Sequence, residues 1–396
     1  MADSAFLIAL STVVAGFVGW RLGKRVQRAA GRAARRRLPA DYLAGLNYVI
    51  NEQPDRALEV FTRMVDVNTE TVEIHFALGS LFRRRGEVDR AIRIHQGILD
   101  RPQLEPAQRE QALLELAVDY LRAGLLDRSE NLYLKLTETR HHRLAALRAL
   151  IGIYEQQHDW TQAISAHRQL GASGGGVQPS AIAHYHCELA ELARASGRGE
   201  DARRLLREAR REQRRFPRAA ILRAEIARDA GDDALAVRLL LLALEREPAL
   251  LLEVLSRLHA CGRRMGTQEP LSAAISALQR GRRPAHEVAC ALILADAFEE
   301  PGALNAVRDY VLSDGLLREL AQPLDTTRGL DDDTLRRVAR LLGRVLARSP
   351  RYRCGECGFA SHAWFWQCPG CKSWDSLQPQ LGAAGELAAA GAAVTR

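Results

Sequence analysis

The chain has 396 residues, enough for several structural units, and a formal net charge of +8. The first 37 residues hold eight cations and one acid, a charge of +7, so the other 359 residues carry about +1 (8 − 7). Charge confined to one end argues against a basic nucleic-acid-binding body and is typical of a segment beside anionic lipid.

The first predicted element is a membrane anchor. Residues 5–20 contain no charged side chain, and a spanning helix of about 20 residues is reached when residues 1–4 and Leu22 are included. The positive charge follows the apolar stretch, unlike in a cleaved signal peptide. We therefore expect a transmembrane anchor at 1–22 and a cytoplasmic basic juxtamembrane segment at 23–40. The alternative is an amphipathic helix on the membrane surface. The cations expected at that surface are Arg21, Lys24, Arg25, Arg28, Arg32, Arg35, Arg36 and Arg37.

A helical repeat follows at residues 41–250. Small residues recur at intervals of 34, 38, 34, 39 and 34, and 34 residues is the tetratricopeptide period. These anchor positions are Ala57, Ala91, Ser129, Ala163, Ala202 and Ala236. Glycine stands five residues before four of them, where the two helices of a repeat turn. The two longer intervals indicate insertions near 102–106 and 171–179. The sixth repeat departs from the pattern, because Arg223 stands where the repeat usually has leucine.

Helical periodicity continues through residues 251–348, with candidate helices at 251–258, 271–278, 288–298, 304–312 and 335–346. We expect divergent repeats and capping helices there.

The first helix of each repeat is expected to line the concave face, which carries binding in such arrays. On or beside that face the sequence places Arg83, Arg84, Arg122, Arg148, Glu191 and Arg194. Five of the six are basic although the body is nearly neutral, which motivates the hypothesis that an acidic segment of a partner docks there. The alternative is a set of ordinary solvated arginines.

Four cysteines form the strongest motif, at residues 350–378. Cys354, Cys357, Cys368 and Cys371 make two C-x-x-C pairs, each enclosing a turn, and four thiolates can bind one zinc ion tetrahedrally. Two disulfides are the alternative, which a reducing cytoplasm disfavours. Four protein ligands leave no open coordination position, so the predicted role is structural. The tail, 379–396, is rich in Ala and Gly and is expected to be disordered.

Aromatic residues crowd this short module: Trp364, Phe365, Trp366 and Trp374. They can pack beneath the metal, since so short a segment has little other core, or dock onto the repeats or a partner. We expect at least two to pack within the module.

The sequence contains no complete catalytic motif of the kinds that mark nucleotide-binding or zinc-protease sites. It has no phosphate-binding G-x-x-x-x-G-K-[ST] loop, and H-E-V-A-C at 286–290 lacks the second histidine of a zinc-protease helix. We therefore expect a non-enzymatic, all-α tetratricopeptide superhelix with an anchor and a small zinc module. A redox or metal-handling protein that uses the C-x-x-C pairs is the alternative. A nucleic-acid-binding ribbon is disfavoured by the balanced charge of the module.

The order anchor, repeat array and cysteine module, with Y-R-C-G-E-C-G-F at 352–359 and C-P-G-C at 368–371, resembles the lipopolysaccharide assembly protein B family of the bacterial inner membrane. The resemblance implies a rubredoxin-like module. It also implies an adaptor that presents the deacetylase committing precursor to lipid A synthesis to a membrane-bound AAA+ metalloprotease, alongside other lipopolysaccharide assembly proteins. The ten-residue interval between Cys357 and Cys368 is shorter than in rubredoxins, which favours one zinc ion over iron.

Overall fold

The computed structural model describes residues 44–45, 47–48, 51, 53–67, 72–281, 283–299, 301–313 and 331–380. The predicted anchor, the basic juxtamembrane segment and most of the predicted tail lie outside these residues. Within the described residues no helix is both long and apolar enough to cross a bilayer. The chain divides into two compact units, Met1–Ile153 and Tyr154–Arg396.

The first unit is built from antiparallel helix pairs. Its helices are α1 (Pro54–Val67), α2 (Val72–Arg84), α3 (Val88–Leu99), α4 (Pro106–Arg122), α5 (Leu126–Leu136) and most of α6 (Arg143–Gln157). The repeat anchors Ala57, Ala91 and Ser129 lie fully buried on α1, α3 and α5. Ser129 fits among alanines because its hydroxyl donates to the Ala117 carbonyl oxygen over 2.8 Å. Small side chains at these positions let the paired helices approach closely.

The second unit continues the repeats. It contains α7 (Trp160–Ala172), α8 (Pro179–Ala195), α9 (Gly199–Glu212), α10 (Pro217–Asp229) and α11 (Asp233–Arg246). The anchors Ala163, Ala202 and Ala236 are again buried, on α7, α9 and α11. Gly197 and Gly231 hold the left-handed conformation at the turns, with φ of 74° and 80°. The tetratricopeptide prediction is thus confirmed, since buried anchors and turn residues recur where the period places them.

A 3₁₀ turn, Pro248–Leu250, is followed among the described residues by the helices α12 (Leu251–Met265), α13 (Glu269–Arg280), α14 (Ala285–Leu294), α15 (Pro301–Ser313) and α16 (Asp332–Leu346). The predicted helix at 288–298 was too long. It ends at Leu294 because Asp296 adopts a left-handed conformation, with φ of 52°. Ala297 and Phe298 are nevertheless buried in the core, which explains the apolar signal beyond the helix.

The C-terminal module is a small antiparallel sheet. Its strands are β1 (Tyr352–Cys354), β2 (Ala360–Ser361) and β3 (Leu377–Pro379), in the order β2-β1-β3. Arg353 lies opposite Ala360 on one side and Gln378 on the other. The all-α prediction therefore describes the helical array, and the module adds a sheet that the short, turn-rich sequence did not reveal.

Candidate metal centre and its contact with the helical array

The backbone turns that present the cysteines are alike in both pairs. The N–H of Gly358 donates to the Cys354 carbonyl over 3.0 Å, and the N–H of Lys372 donates to the Cys368 carbonyl over 2.9 Å. Gly358 and Lys372 have φ of 75° and 62°. The sequence had suggested turns inside each pair, but the left-handed residue follows the second cysteine. This turn points both sulfurs of a pair to one side.

The four sulfurs form one cluster. Cys354 Sγ lies 3.7 Å from Cys371 Sγ, Cys357 Sγ lies 3.7 Å from Cys368 Sγ, and all four lie within 4.8 Å of one another. Around a tetrahedral ion with Zn–S bonds of about 2.3 Å, neighbouring sulfurs are about 3.8 Å apart. The sulfurs are also well beyond the ~2.05 Å of a disulfide bond. The cluster fits a four-thiolate metal site, as predicted from the spacing.

The surroundings of Cys354 and Cys371 favour thiolates. Cys354 Sγ lies 3.3 Å from Ser376 Oγ, and Cys371 Sγ lies 3.3 Å from Ser373 Oγ. Hydrogen bonding to Ser376 lowers the pKa of the Cys354 thiol to about 6, and hydrogen bonding to Ser373 lowers the pKa of Cys371. Metal binding requires deprotonated thiols, so these contacts assist it.

Two tryptophans form the core of the module beside the metal site. Trp364 packs edge-to-face on Tyr352 with ring centroids 5.3 Å apart, and on Trp366 at 5.4 Å. Phe365 is 38 % exposed and does not belong to this core. The expectation that at least two aromatics pack within the module agrees with this arrangement.

Trp374 instead contacts the helical array of the second unit. Its ring stacks on His184 of α8 with centroids 4.3 Å apart, and its Nε1–H donates to Glu155 Oε1 over 2.9 Å. The Tyr185 hydroxyl donates to the same oxygen over 2.6 Å. Both interpretations of the aromatic residues are therefore correct for different residues. Trp364 and Trp366 pack within the module, and Trp374 docks onto the repeats.

Arg218 of α10 connects array and module through a buried polar network. It is only 2 % exposed, it pairs with Glu188 and Glu191 over 2.7 and 3.0 Å, and its guanidinium lies 5.5 Å from the Trp366 ring centroid. It also lies 3.2 Å from His184 Nδ1. A buried arginine at a helix start gives no periodic signal, so sequence analysis missed it. Its compensated charge fixes the orientation of the module on α8 and α10.

His184 completes that network. Because Arg218 can only donate, Nδ1 of His184 accepts, and Nε2–H then donates to Asp375 Oδ1 over 2.9 Å. Burial lowers the pKa of His184, although Asp375 opposes the change. The ring is consequently neutral at pH 7, with one defined tautomer.

Apolar packing makes the module and the helices from α10 onward one core. Tyr352, Cys354, Cys368 and Leu377 belong to the same buried cluster as α12, and the Tyr352 hydroxyl donates to Glu253 over 3.0 Å. Beside this contact lies an open cleft of about 560 Å³, bordered by Phe216, Trp364 and Trp366 among others. The module is part of the second unit's fold.

The residues predicted to bind a partner lie in different settings. Arg83 pairs with Glu115 and Asp119, Arg194 pairs with Glu225 and Asp229, and Glu191 pairs with Arg218. Three of the six, Arg84, Arg122 and Arg148, are exposed and form no ion pair with any described residue. Only these three are free cations of the kind that the docking hypothesis requires.

Two models of known protein families match this chain. The tetratricopeptide repeat model matches residues 42–102 and 187–249, and the rubredoxin metal binding domain model matches residues 352–379. The lipopolysaccharide assembly protein B of Escherichia coli (strain K12) is 32 % identical over 385 residues, which are 95 % of this chain and 98 % of the relative. The chain belongs to the lipopolysaccharide assembly protein B family.

A second curated relative and a solved structure are less similar to this chain. The protein of the same name from Haemophilus influenzae (strain Rd) is 27 % identical over 94 % of this chain and 98 % of its own. Among solved structures, the C-terminal part of a TPR repeat-containing protein from Cytophaga hutchinsonii covers 60 % of this chain and 94 % of its own. Its TM-score is 0.41 at 12 % identity. The match along both curated relatives includes the array and the module together.

Proposed function

We propose that this protein is an adaptor anchored in the bacterial inner membrane, with its array and metal module in the cytoplasm. It presents the deacetylase of the committed lipid A step to a membrane-bound AAA+ metalloprotease, and it contacts other lipopolysaccharide assembly proteins. Family membership and the repeat array support this role, since stacked helix pairs offer extended surfaces for protein partners.

The proposal rests on the contact between the metal module and the helical array. Trp374, Arg218 and Tyr352 hold the module on the helices through an aromatic stack, a buried ion pair and a hydrogen bond. The four thiolates would hold one zinc ion, which supplies folding energy to the module and takes no part in a reaction. A rigid scaffold with a closed metal site suits presentation of one protein to another.

The anchor would raise the effective concentration of the adaptor near the membrane-bound protease. Confining adaptor and protease to one membrane raises their encounter without any new contact. Full-length protein captured from membranes in detergent micelles should carry the protease and the deacetylase, identified by mass spectrometry. A form lacking residues 1–22 should lose the protease and keep the deacetylase. Absence of both partners from the full-length sample would contradict the proposal.

Arg84, Arg122 and Arg148, the predicted partner-binding residues without an ion pair to any described residue, suggest where an acidic client segment docks. Changing Arg122 and Arg148 to Glu should weaken client binding, and added salt should mimic the loss because exposed charge pairs are screened. Arg83 is unsuited to this test, since Glu at that position would face Glu115 and Asp119. Arg93→Glu on the second helix α3 is the matched control. Equal client affinity of double mutant and control would place the docking surface elsewhere.

A further inference from the structure

The second unit contains a cleft that the proposed function does not use. It lies where α9, α10 and α11 meet, and its volume is about 350 Å³. Arg203, Arg207 and Arg210 of α9 border it on one side, and Arg223 of α10 closes it. Ile226 and Leu239 form an apolar part of its wall. Such a volume lies in the range of small-molecule sites, about 300–1,000 Å³.

Arg223 is the anomaly in this cleft. It stands at the position where a tetratricopeptide repeat usually has leucine, and it is half-buried. Burial lowers its pKa, and the charge of Arg210 lowers it further. No described acidic side chain pairs with Arg223, in contrast to Arg218 and Arg257. A desolvated cation beside a second cation costs stability, and the part of the chain that the structure describes supplies no anion to compensate it.

The neighbouring arginines share this lack of compensation. Among the described residues, Arg207 and Arg210 form no ion pair, whereas Arg204 and Arg211 on the same helix pair with Asp201 and Glu208. Arg203, at the rim, pairs with Glu200. Three guanidinium charges therefore border one cleft without a counter-charge from any described residue.

A phosphate group matches this charge best. One carboxylate would balance a single guanidinium, but a phosphate ester carries about −1.5 to −2 at pH 7 and three acceptor oxygens. Guanidinium forks pair with phosphate bidentately. We propose that the cleft binds a phosphate ester, with Arg207, Arg210 and Arg223 on the phosphate oxygens and Ile226 and Leu239 against its organic part. This inference stands independently of the adaptor role.

Two sources could supply that chemistry, a soluble phosphate ester or the phosphate headgroup of a membrane lipid. Phenyl phosphate serves as the probe, because it combines the anion with an apolar ring. Full-length protein is placed in phosphatidylcholine nanodiscs, and phenyl phosphate binding is measured by isothermal titration calorimetry. Replacing part of the lipid by phosphatidic acid then separates the sources. Weaker apparent binding of the probe identifies a lipid headgroup as competitor, and unchanged binding identifies a soluble ligand.

The variants decide whether the cleft is the site. Arg223→Leu restores the usual repeat residue, so it should fold, and it should weaken phenyl phosphate binding about tenfold through loss of a charge-assisted contact. Arg207→Gln, at the exposed edge, should also weaken binding. Arg204→Gln, on the same helix but outside the cleft, should bind like the wild type. The proposal is overturned if phenyl phosphate does not bind, or if Arg223→Leu and Arg207→Gln bind it as well as Arg204→Gln does.

Discussion

Replacing Arg218 by methionine should loosen the metal module from the array, because this guanidinium contacts groups on both. Met fills much of the volume of the arginine stem. It removes two charge-assisted hydrogen bonds, to Glu188 and Glu191, the hydrogen bond to His184 Nδ1 and the contact with Trp366. The change tests whether the network, and not shape alone, holds the module in place.

The magnitude follows from the exposure of each partner. Charge-assisted hydrogen bonds contribute about 1.5–3 kcal/mol each, but the side chains of Glu188 and Glu191 remain 26 % and 41 % exposed. Water recovers part of their solvation, which reduces each bond to about 1 kcal/mol. The contact of Arg218 with Trp366 adds about 1 kcal/mol, and its hydrogen bond to His184 Nδ1 adds about 1 kcal/mol. The total of about 4 kcal/mol corresponds to a Tm lower by about 8–16 °C in a unit of this size.

Differential scanning calorimetry of the full-length protein in detergent measures this shift, with metal content determined in parallel. Arg211→Met is the matched control. Arg211 forms an exposed ion pair with Glu208, which lies one turn earlier on α9. That control should leave Tm unchanged. A Tm of Arg218→Met no lower than that of the control would refute the role given to the network.

Three further predictions concern the same unit. Cys371→Ser should release the metal and unfold the module, whereas Cys290→Ala, in the helical core, should retain a full complement of metal by elemental analysis. Stability should fall as the pH drops below about 6.5, because the unfolded chain then protonates His167, His184 and His186, whose pKa values burial lowers in the fold. In thermal melts, His184→Gln should reduce that dependence, and an unchanged pH profile would contradict the assignment of one part of it to His184. Trp374→Phe keeps the stack but loses the N–H donor to Glu155. It should cost about 1 kcal/mol in denaturant titration, and a cost of zero would show that stacking alone matters.

The sequence predicted much of this architecture because its signals are local. Ala57 and Ala236 mark repeats through a period that sterics impose, and the cysteine spacing specifies a metal cluster without knowledge of the fold. The contacts between module and array were not predictable in this way. His184 and Asp375 are 191 residues apart in the chain, and only tertiary folding brings them together. Likewise, the sequence indicated that Arg223 is unusual. It did not indicate that Arg207 and Arg210, which form no ion pair with a described residue, line the same cleft.

The residues predicted to lie on the concave face show a further limit of sequence reasoning. Helical periodicity placed Arg83 and Arg122 in comparable positions, but it could not show that Arg83 is bound to Glu115 and Asp119. Ion pairing depends on which side chains face each other across neighbouring helices. Only the structure therefore separates cations committed to the fold from those available to a partner.

The adaptor role itself is tested most directly by the lifetime of the deacetylase. The deacetylase, the membrane-bound AAA+ metalloprotease and ATP are combined in proteoliposomes, with the full-length protein, with a form lacking residues 1–22, or with neither. We predict that only the full-length protein shortens the half-life of the deacetylase, and that Arg122→Glu with Arg148→Glu reduces this effect. Equally fast degradation without the protein, or no acceleration in its presence, would contradict the account.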